Sequence, residues 1–285
     1  AMYRAKAEGK ARYEIFDRDM HQSAVALLKL ETELRRSVHR GDFLMNYQPI
    51  VSLQQGRLVG FEGLVRWQHP DRGVVAPNQF IAIAEETGLI VPLGWWVLRE
   101  SCKQTRIWQE QFPSDPPLWI SVNMSGKLFM KADMVDDLLG ILEETGLEPR
   151  SLRLEVTENV VMDHADLAIR NLMELRALGV QLSIDDFGTG YSSLSYLQRF
   201  HYDSLKIDRS FVSQLGSPGE SRAIVETILN LANSLGIGVV AEGIETADQV
   251  DRLRRMQCPH GQGYWFSRPL TVPAAEELMA SSPSW

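Results

Sequence analysis

The chain has 285 residues, enough for one large domain or two small ones, and 44% of them are apolar, an ordinary fraction for a globular core. A net charge of −8 excludes a non-specific nucleic-acid binder, which carries a basic surface. It leaves room for a phosphate ligand where metals neutralise the site locally. The two cysteines, Cys102 and Cys258, form neither a paired framework nor a CxxC motif, which points to a reducing compartment.

The most apolar run, residues 88–98, is too short to span a bilayer and is interrupted by Pro92 and Gly94. The first residues do not read as a signal peptide. A start at Ala1 inside a helical pattern predicts a piece of a longer protein, whose anchoring is not readable here.

In chain order, residues 1–10 read as the end of an amphipathic helix stopped by Gly9, and residues 11–17 as a short strand. A helical period over 22–39 places Ala24, Leu27, Leu28, Leu30, Leu34 and Val38 mostly on one face. Residues 42–53 and 57–67 read as strands, the second carrying Glu62 and Arg66; HPDRG is a loop, and 77–88 a helix with Pro77 in its first turn and Gly88 at its end. A helix then runs from 90 to about 112.

From there strands and helices alternate. LWISVNMS ends near Asn123. SLRLEVTE carries Glu155 and Glu158. QLSIDD ends on Asp185 and Asp186, followed by a Gly-x-Gly turn. A short helix precedes DSLKID, which carries Lys206 and Asp208. IGVVAEGIE carries Glu242 and Glu245, and a last helix leads to HGQGYWF with Gln262. The helix from about Pro218 shows Ile224, Ile228, Leu231 and Leu235 on one face. Three helices end in glycine plus an apolar residue, at Gly146, Gly179 and Gly236, the pattern of a left-handed cap leading into a strand. The rhythm predicts parallel βαβ units, with eight candidate strands between residues 42 and 266. Polar residues sit at the carboxyl end of nearly every strand. A TIM-type (β/α)8 barrel gathers those ends on one face, whereas a doubly wound open sheet would build its site at one crevice.

In a closed barrel Glu62, Asn123, Glu155, Asp185, Asp186, Lys206, Asp208, Glu242 and Gln262 would meet at the top. This set is rich in oxygen donors and has no His or Cys, so it suits magnesium or manganese rather than zinc. Singly, the residues have plainer roles open to them. Glu62 and Arg66 could pair on a strand, Asn123 could cap a turn, and Glu242 and Glu245 could favour a helix start. Together, the carboxylates would repel strongly without a cation. A cation pair around a lone lysine fits metal-dependent phosphodiester hydrolysis. Cys258 and His260 read as loop packing, and Trp95 and Trp96 as core or interface filling.

FEGLVRW, SVNMS, RLEVTEN, DDFGTGYSSLSYL, LKIDRSFV, VVAEGIET and GQGYWFSRPL occur in this order. Together they resemble the EAL-domain family of cyclic di-GMP phosphodiesterases, over about residues 22–279. The resemblance implies a barrel whose first strand is antiparallel to the rest. It implies opening of cyclic di-GMP to linear pGpG with magnesium or manganese in a two-metal site, calcium being inhibitory. By resemblance, Glu62, Asn123, Glu155 and Asp185 are ligands of the first metal, and Asp186 of the second, with Asp208 close by. Lys206 corresponds to the lysine near the attacking water. Glu242 corresponds to a metal ligand or general base, and Gln262 and Glu245 to supporting polar residues. Gln48, Leu64 and Arg66 correspond to ligand-contacting positions, and Glu158 to the anchor of the DDFGTGYSS loop, which links the metal site to a dimer interface.

The signature departs from its usual Glu-Ala-Leu at Gly63, which a strand points away from Glu62 and Leu64. The expected cost is backbone freedom beside a ligand, about 0.5–1 kcal/mol.

Residues 1–20 resemble the tail of a GGDEF, or diguanylate cyclase, domain, leaving 21–285 as the EAL domain. This implies a tandem parent protein with sensory parts upstream, homodimeric, its EAL domain cytoplasmic and the parent either soluble or attached to the inner membrane. The competing reading is a catalytically weak or inactive cyclic di-GMP receptor or regulatory domain. Such degenerate members lose metal ligands or the lysine, and none is missing here.

Overall fold

The structure, a computed structural model, describes residues 18–157, 165–188, 202–216 and 220–285. The expected elements within 1–17, the short helix before DSLKID and Glu158 lie outside those residues.

Helix α1 (Arg18–Arg40) leads into β1 (Phe43–Ser52) and β2 (Arg57–His69), an antiparallel pair in which Gln48 faces Glu62. β2 turns back into the short β3 (Gly73–Val75), so the loop expected at HPDRG is the bend of a hairpin. Helices α2 (Ile81–Thr87) and α3 (Ile90–Gln111) follow, then β4 (Trp119–Asn123), α4 (Gly126–Phe129), α5 (Met134–Thr145) and β5 (Leu152–Thr157). Next come α6 (Ala165–Leu178), β6 (Gln181–Phe187), β7 (Ser204–Ile207), α7 (Arg209–Ser213), α8 (Glu220–Leu235) and β8 (Gly238–Ala241). The chain closes with α9 (Ala247–Arg255), β9 (His260–Gln262) and α10 (Val272–Ser281).

The sheet runs β1-β9-β8-β7-β6-β5-β4-β2-β3, and the β1–β2 pairing joins its ends into a closed eight-stranded barrel with β3 outside. β1 is antiparallel to both neighbours, while β2 and β4 to β9 run parallel, as expected for the barrel. No crossover helix links β1 to β2. Their outer face is sealed by Tyr47, Phe61 and Trp108 of α3, with ring centroids 4.7 Å (Tyr47–Trp108) and 4.9 Å (Phe61–Trp108) apart. The predicted glycine caps hold. Gly146, Gly179 and Gly236 take φ of 68°, 92° and 67°, a region costly for a residue with a Cβ.

Periodicity places two apolar faces correctly except at one edge of each. On α8, Ile228 is buried and Leu231 and Leu235 pack partly buried against the core as expected, but Val225, Leu229 and Ala232 are buried with them and Ile224 is 36% exposed. On α1, Leu34 is fully buried and Leu30 and Val38 pack partly buried against the core, but Leu27 and Leu28 are 50% and 63% exposed. No helix among the described residues is long and apolar enough to cross a membrane.

Candidate active site

Alternation sends every second side chain of a barrel strand inward. At the carboxyl ends this brings Gln48, Glu62, Asn123, Glu155, Asp185, Lys206 and Gln262 together. Glu242 and Glu245 were expected on the eighth strand. The strand stops at Ala241, so both lie in the turn after it, Glu242 at the cleft floor and Glu245 exposed at its edge.

Lys206 is the centre, 2% exposed. Its Nζ lies 2.7 Å from Glu155 Oε2, 2.5 Å from Glu242 Oε1 and 3.5 Å from both Glu62 Oε1 and Asp185 Oδ1. Asn123 Nδ2 donates to Glu62 Oε1 (2.7 Å), and Gln262 Nε2 donates to Glu62 Oε2 (2.5 Å) and to Gln48 Oε1 (3.0 Å). Ser121 Oγ donates to Glu155 Oε1 at 2.5 Å. Both oxygens of Glu62 and of Glu155 are therefore aimed, not merely present.

Four carboxylates around one ammonium leave an excess of negative charge in a buried place. Burial disfavours the Lys206 cation, yet Glu155, Glu242, Glu62 and Asp185 outweigh it and hold the ammonium well above the usual lysine range. Burial would also raise the Glu62 carboxyl, but Lys206 and the amides of Gln262 and Asn123 hold it below the usual carboxylate range. At Glu155, burial and the neighbouring carboxylates overcome Lys206 and push the carboxyl well up. Burial likewise pushes Glu242 up to about 7.

Asp185 and Asp186 are adjacent, so a regular strand would point them to opposite faces. The β6–β7 register slips between Ile184 and Phe187, placing one extra residue on β6, and Asp186 takes φ +54°. This bulge turns the second carboxylate back, so that oxygens of Asp185, Asp186 and Glu242 lie within 4.8 Å of one another. Burial and then the Asp185 and Asp208 carboxylates raise the Asp186 carboxyl. Asp208 itself caps α7, Oδ1 accepting the Ser210 N–H at 2.9 Å, and stands outside the tight group.

Above the cluster lies a cleft of about 380 Å³, lined by Gln48, Glu62, Leu64, Asn123, Asp185, Lys206, Glu242, Glu245 and Gln262, and by Arg209, Gly243, Gly263 and Tyr264. Tyr264 is 52% exposed at the mouth, with the Arg268 guanidinium stacked 4.4 Å over its ring. Arg66 is half-buried, which holds its guanidinium below the usual arginine range against the pull of the Glu62 carboxylate, and its Nη1 donates to the Val65 carbonyl.

Sequence reasoning missed several supports. Gln249 Oε1 accepts the N–H groups of Glu245 (2.7 Å) and Thr246 (3.0 Å), and its Nε2 donates to the Val212 carbonyl, fixing the turn that carries Glu242. The signal was legible as Thr246-x-x-Gln249, a capping box. Ser121 could have been found from the same alternation that gives Asn123. Gly243 takes φ +68°, and a methyl on it would stand 2.4 Å from Arg209 Cβ, so only glycine fits that turn.

Comparison with known proteins agrees with this geometry. A family model described as "EAL domain" matches residues 31–269. The bifunctional diguanylate cyclase/cyclic di-GMP phosphodiesterase MucR of Pseudomonas aeruginosa is 43% identical over 282 residues, spanning 99% of this chain and 40% of that protein. The cyclic di-GMP phosphodiesterase NbdA of the same organism is 41% identical over 279 residues, 98% of this chain and 35% of that protein. The chain thus spans well under half the length of these relatives. Among solved structures, the MucR phosphodiesterase in complex with c-di-GMP superposes with a TM-score of 0.82 at 42% identity, covering 87% of this chain and 99% of that one.

Proposed function

The chain belongs to the EAL-domain family, and from that premise we propose that it hydrolyses cyclic di-GMP to linear pGpG, with magnesium or manganese as cofactor and calcium as an inhibitor. The observation that carries this reading is the convergence of Glu62, Glu155, Asp185 and Glu242 on Lys206 at the floor of one cleft.

The donor set fits hard divalent cations. Its side chains offer oxygen atoms in excess of the single ammonium, and Asp185 Oδ1 is buried without a hydrogen-bond partner among the described residues. Glu62, Asn123, Glu155 and Asp185 would hold a first cation and Asp186 a second, with Asp208 or Glu242 completing it. Such a pair supplies Lewis-acid polarisation of the phosphodiester and acidifies a water.

The protein's own groups do the rest. Gln262 and Asn123 fix the plane of the Glu62 carboxylate, and Ser121 fixes that of Glu155. Lys206 presents a positive charge from the floor, placed to orient the attacking water or a phosphoryl oxygen. Glu242, in contact with Lys206 and beside Asp185 and Asp186, is placed to take the proton of that water. Gln48 and Leu64 line the cleft that the dinucleotide would enter, and Arg66, two residues further along β2 and outside that lining, would reach it from the rim. In this reading Glu158 and Glu245 would anchor the DDFGTGYSS loop, as the family resemblance implies; Glu158 lies outside the described residues.

The parent polypeptide would carry this domain on the cytoplasmic side as a homodimer, behind GGDEF and sensory domains, with no nucleic-acid polymer as ligand. Incubation with cyclic di-GMP and either cation, followed by chromatography, tests the activity. Accumulation of pGpG supports it, and intact substrate at high protein concentration with both cations contradicts it.

A further inference from the structure

Gly63 sits between Glu62 and Leu64 on β2, paired with Tyr47 of β1 and Val122 of β4. Its missing side chain would point out of the barrel, against α3. A methyl there would lie 2.8 Å from Ser101 Oγ, 3.1 Å from Met45 Cε and 3.6 Å from the Ser121 carbonyl. Ser101 is fully buried, and its Oγ has no hydrogen-bond partner among the described residues. A buried hydroxyl without a partner costs free energy, and this one stands against the space that a side chain at position 63 would fill. Two residues back along β2, Phe61 packs on Trp108 of α3 with ring centroids 4.9 Å apart. Gly63 and Gly94 border an apolar cavity of about 310 Å³, whose wall shares Leu64 and Asn123 with the cleft. Next to Glu62, the approach of β2 to α3 is thus set at Gly63 and Ser101, directly behind a carboxylate held by 2.7 Å and 2.5 Å hydrogen bonds.

We propose that Ser101 is a positioning residue for Glu62: its hydroxyl occupies the space that a methyl at position 63 would claim and holds β2 against α3 at the spacing the Glu62 carboxylate requires. The two positions are then a matched pair with one methyl-sized group between them. Ser101→Ala leaves the seam underfilled and Gly63→Ala overfills it, while the double variant moves the group from one side to the other. This rests on the reading of Glu62 as a metal ligand.

The test titrates Mn²⁺ alone into the four proteins by calorimetry and records unfolding midpoints in cation-free buffer. Each single substitution is expected to weaken Mn²⁺ binding about tenfold, the size typical of groups that orient a ligand. The double variant is expected to return to within about twofold of the parent, because contacting sites do not add. Ser101→Ala with unchanged Mn²⁺ affinity overturns the proposal, as does a double variant as weak as the poorer single. Recovery of the unfolding midpoint without recovery of affinity means packing alone and also overturns it. Should Gly63→Ala not fold, Ser101→Ala and the double variant still decide. A parent that binds Mn²⁺ but leaves cyclic di-GMP intact would defeat the functional reading and leave this one standing.

Discussion

Lys206 is the residue on which the charge balance turns. Removing its ammonium leaves Glu155, Glu242, Glu62 and Asp185 facing one another in a buried place. Lys206→Met keeps the side chain's length, so it should fold when divalent cations are present but lose about 10²–10⁴-fold in hydrolysis. Steady-state pGpG production checks this, and near-parental turnover would contradict the role. Asp186 separates charge from conformation. At φ +54° the site tolerates asparagine better than alanine, whose placement there costs about 1–2 kcal/mol. Asp186→Asn should keep the parental unfolding midpoint and lose cation affinity, whereas Asp186→Ala should lose both. Calorimetry beside a melt reads the two apart, and equal affinity in Asp186→Asn and the parent would count against a ligand at this position.

Among the elements, α9 holds the chemistry indirectly. Its first turn is a capping box whose Gln249 ties down Glu245 and, through the turn, Glu242. Thr246→Ala should cost about 1 kcal/mol of stability with little change in turnover. Gln249→Ala should lower turnover more than stability, because it frees the turn that carries Glu242. Denaturant melts and initial rates on the two variants distinguish a cap from a catalytic support.

This is also the scale at which the sequence was most and least legible. Glycine caps and strand-end polar residues could be read directly, since Gly146, Gly179 and Gly236 mark where each helix must reverse. The edge of the buried face on α8 could not. Ile224 and Val225 are neighbours of similar hydropathy, and only packing against the barrel decides which is buried. The bulge at Asp185–Asp186 was invisible for a different reason, because alternation forbids two consecutive inward residues and only the register with β7 shows how the chain evades it. Short helices such as α4 and α7, of four and five residues, carry too little periodicity to be seen. α10 was also missed, lying beyond the last motif that organised the reading.

For the molecule as a whole, closing the barrel forces the strand ends together whatever their separation in sequence; Glu62 and Gln262 touch across 200 residues. The ring of carboxylates then opposes folding until cations arrive. Divalent ions should therefore stabilise the native state, by about 2.7 kcal/mol at a hundredfold excess over Kd. For a domain of this size that is a rise of about 5 °C or more in the unfolding midpoint. The rise should vanish in a Glu62→Ala, Asp185→Ala double variant, which calorimetric scans with and without chelator would show.

The most direct measurement is anomalous diffraction from crystals grown with Mn²⁺ and cyclic di-GMP. The peaks should fall among Glu62, Asn123, Glu155, Asp185 and Asp186, with a phosphate of the dinucleotide, intact or opened to pGpG, against them and Lys206 beneath. Peaks confined to other acidic surfaces, with the dinucleotide bound away from this cleft, would contradict the assignment of the barrel mouth as the centre of hydrolysis.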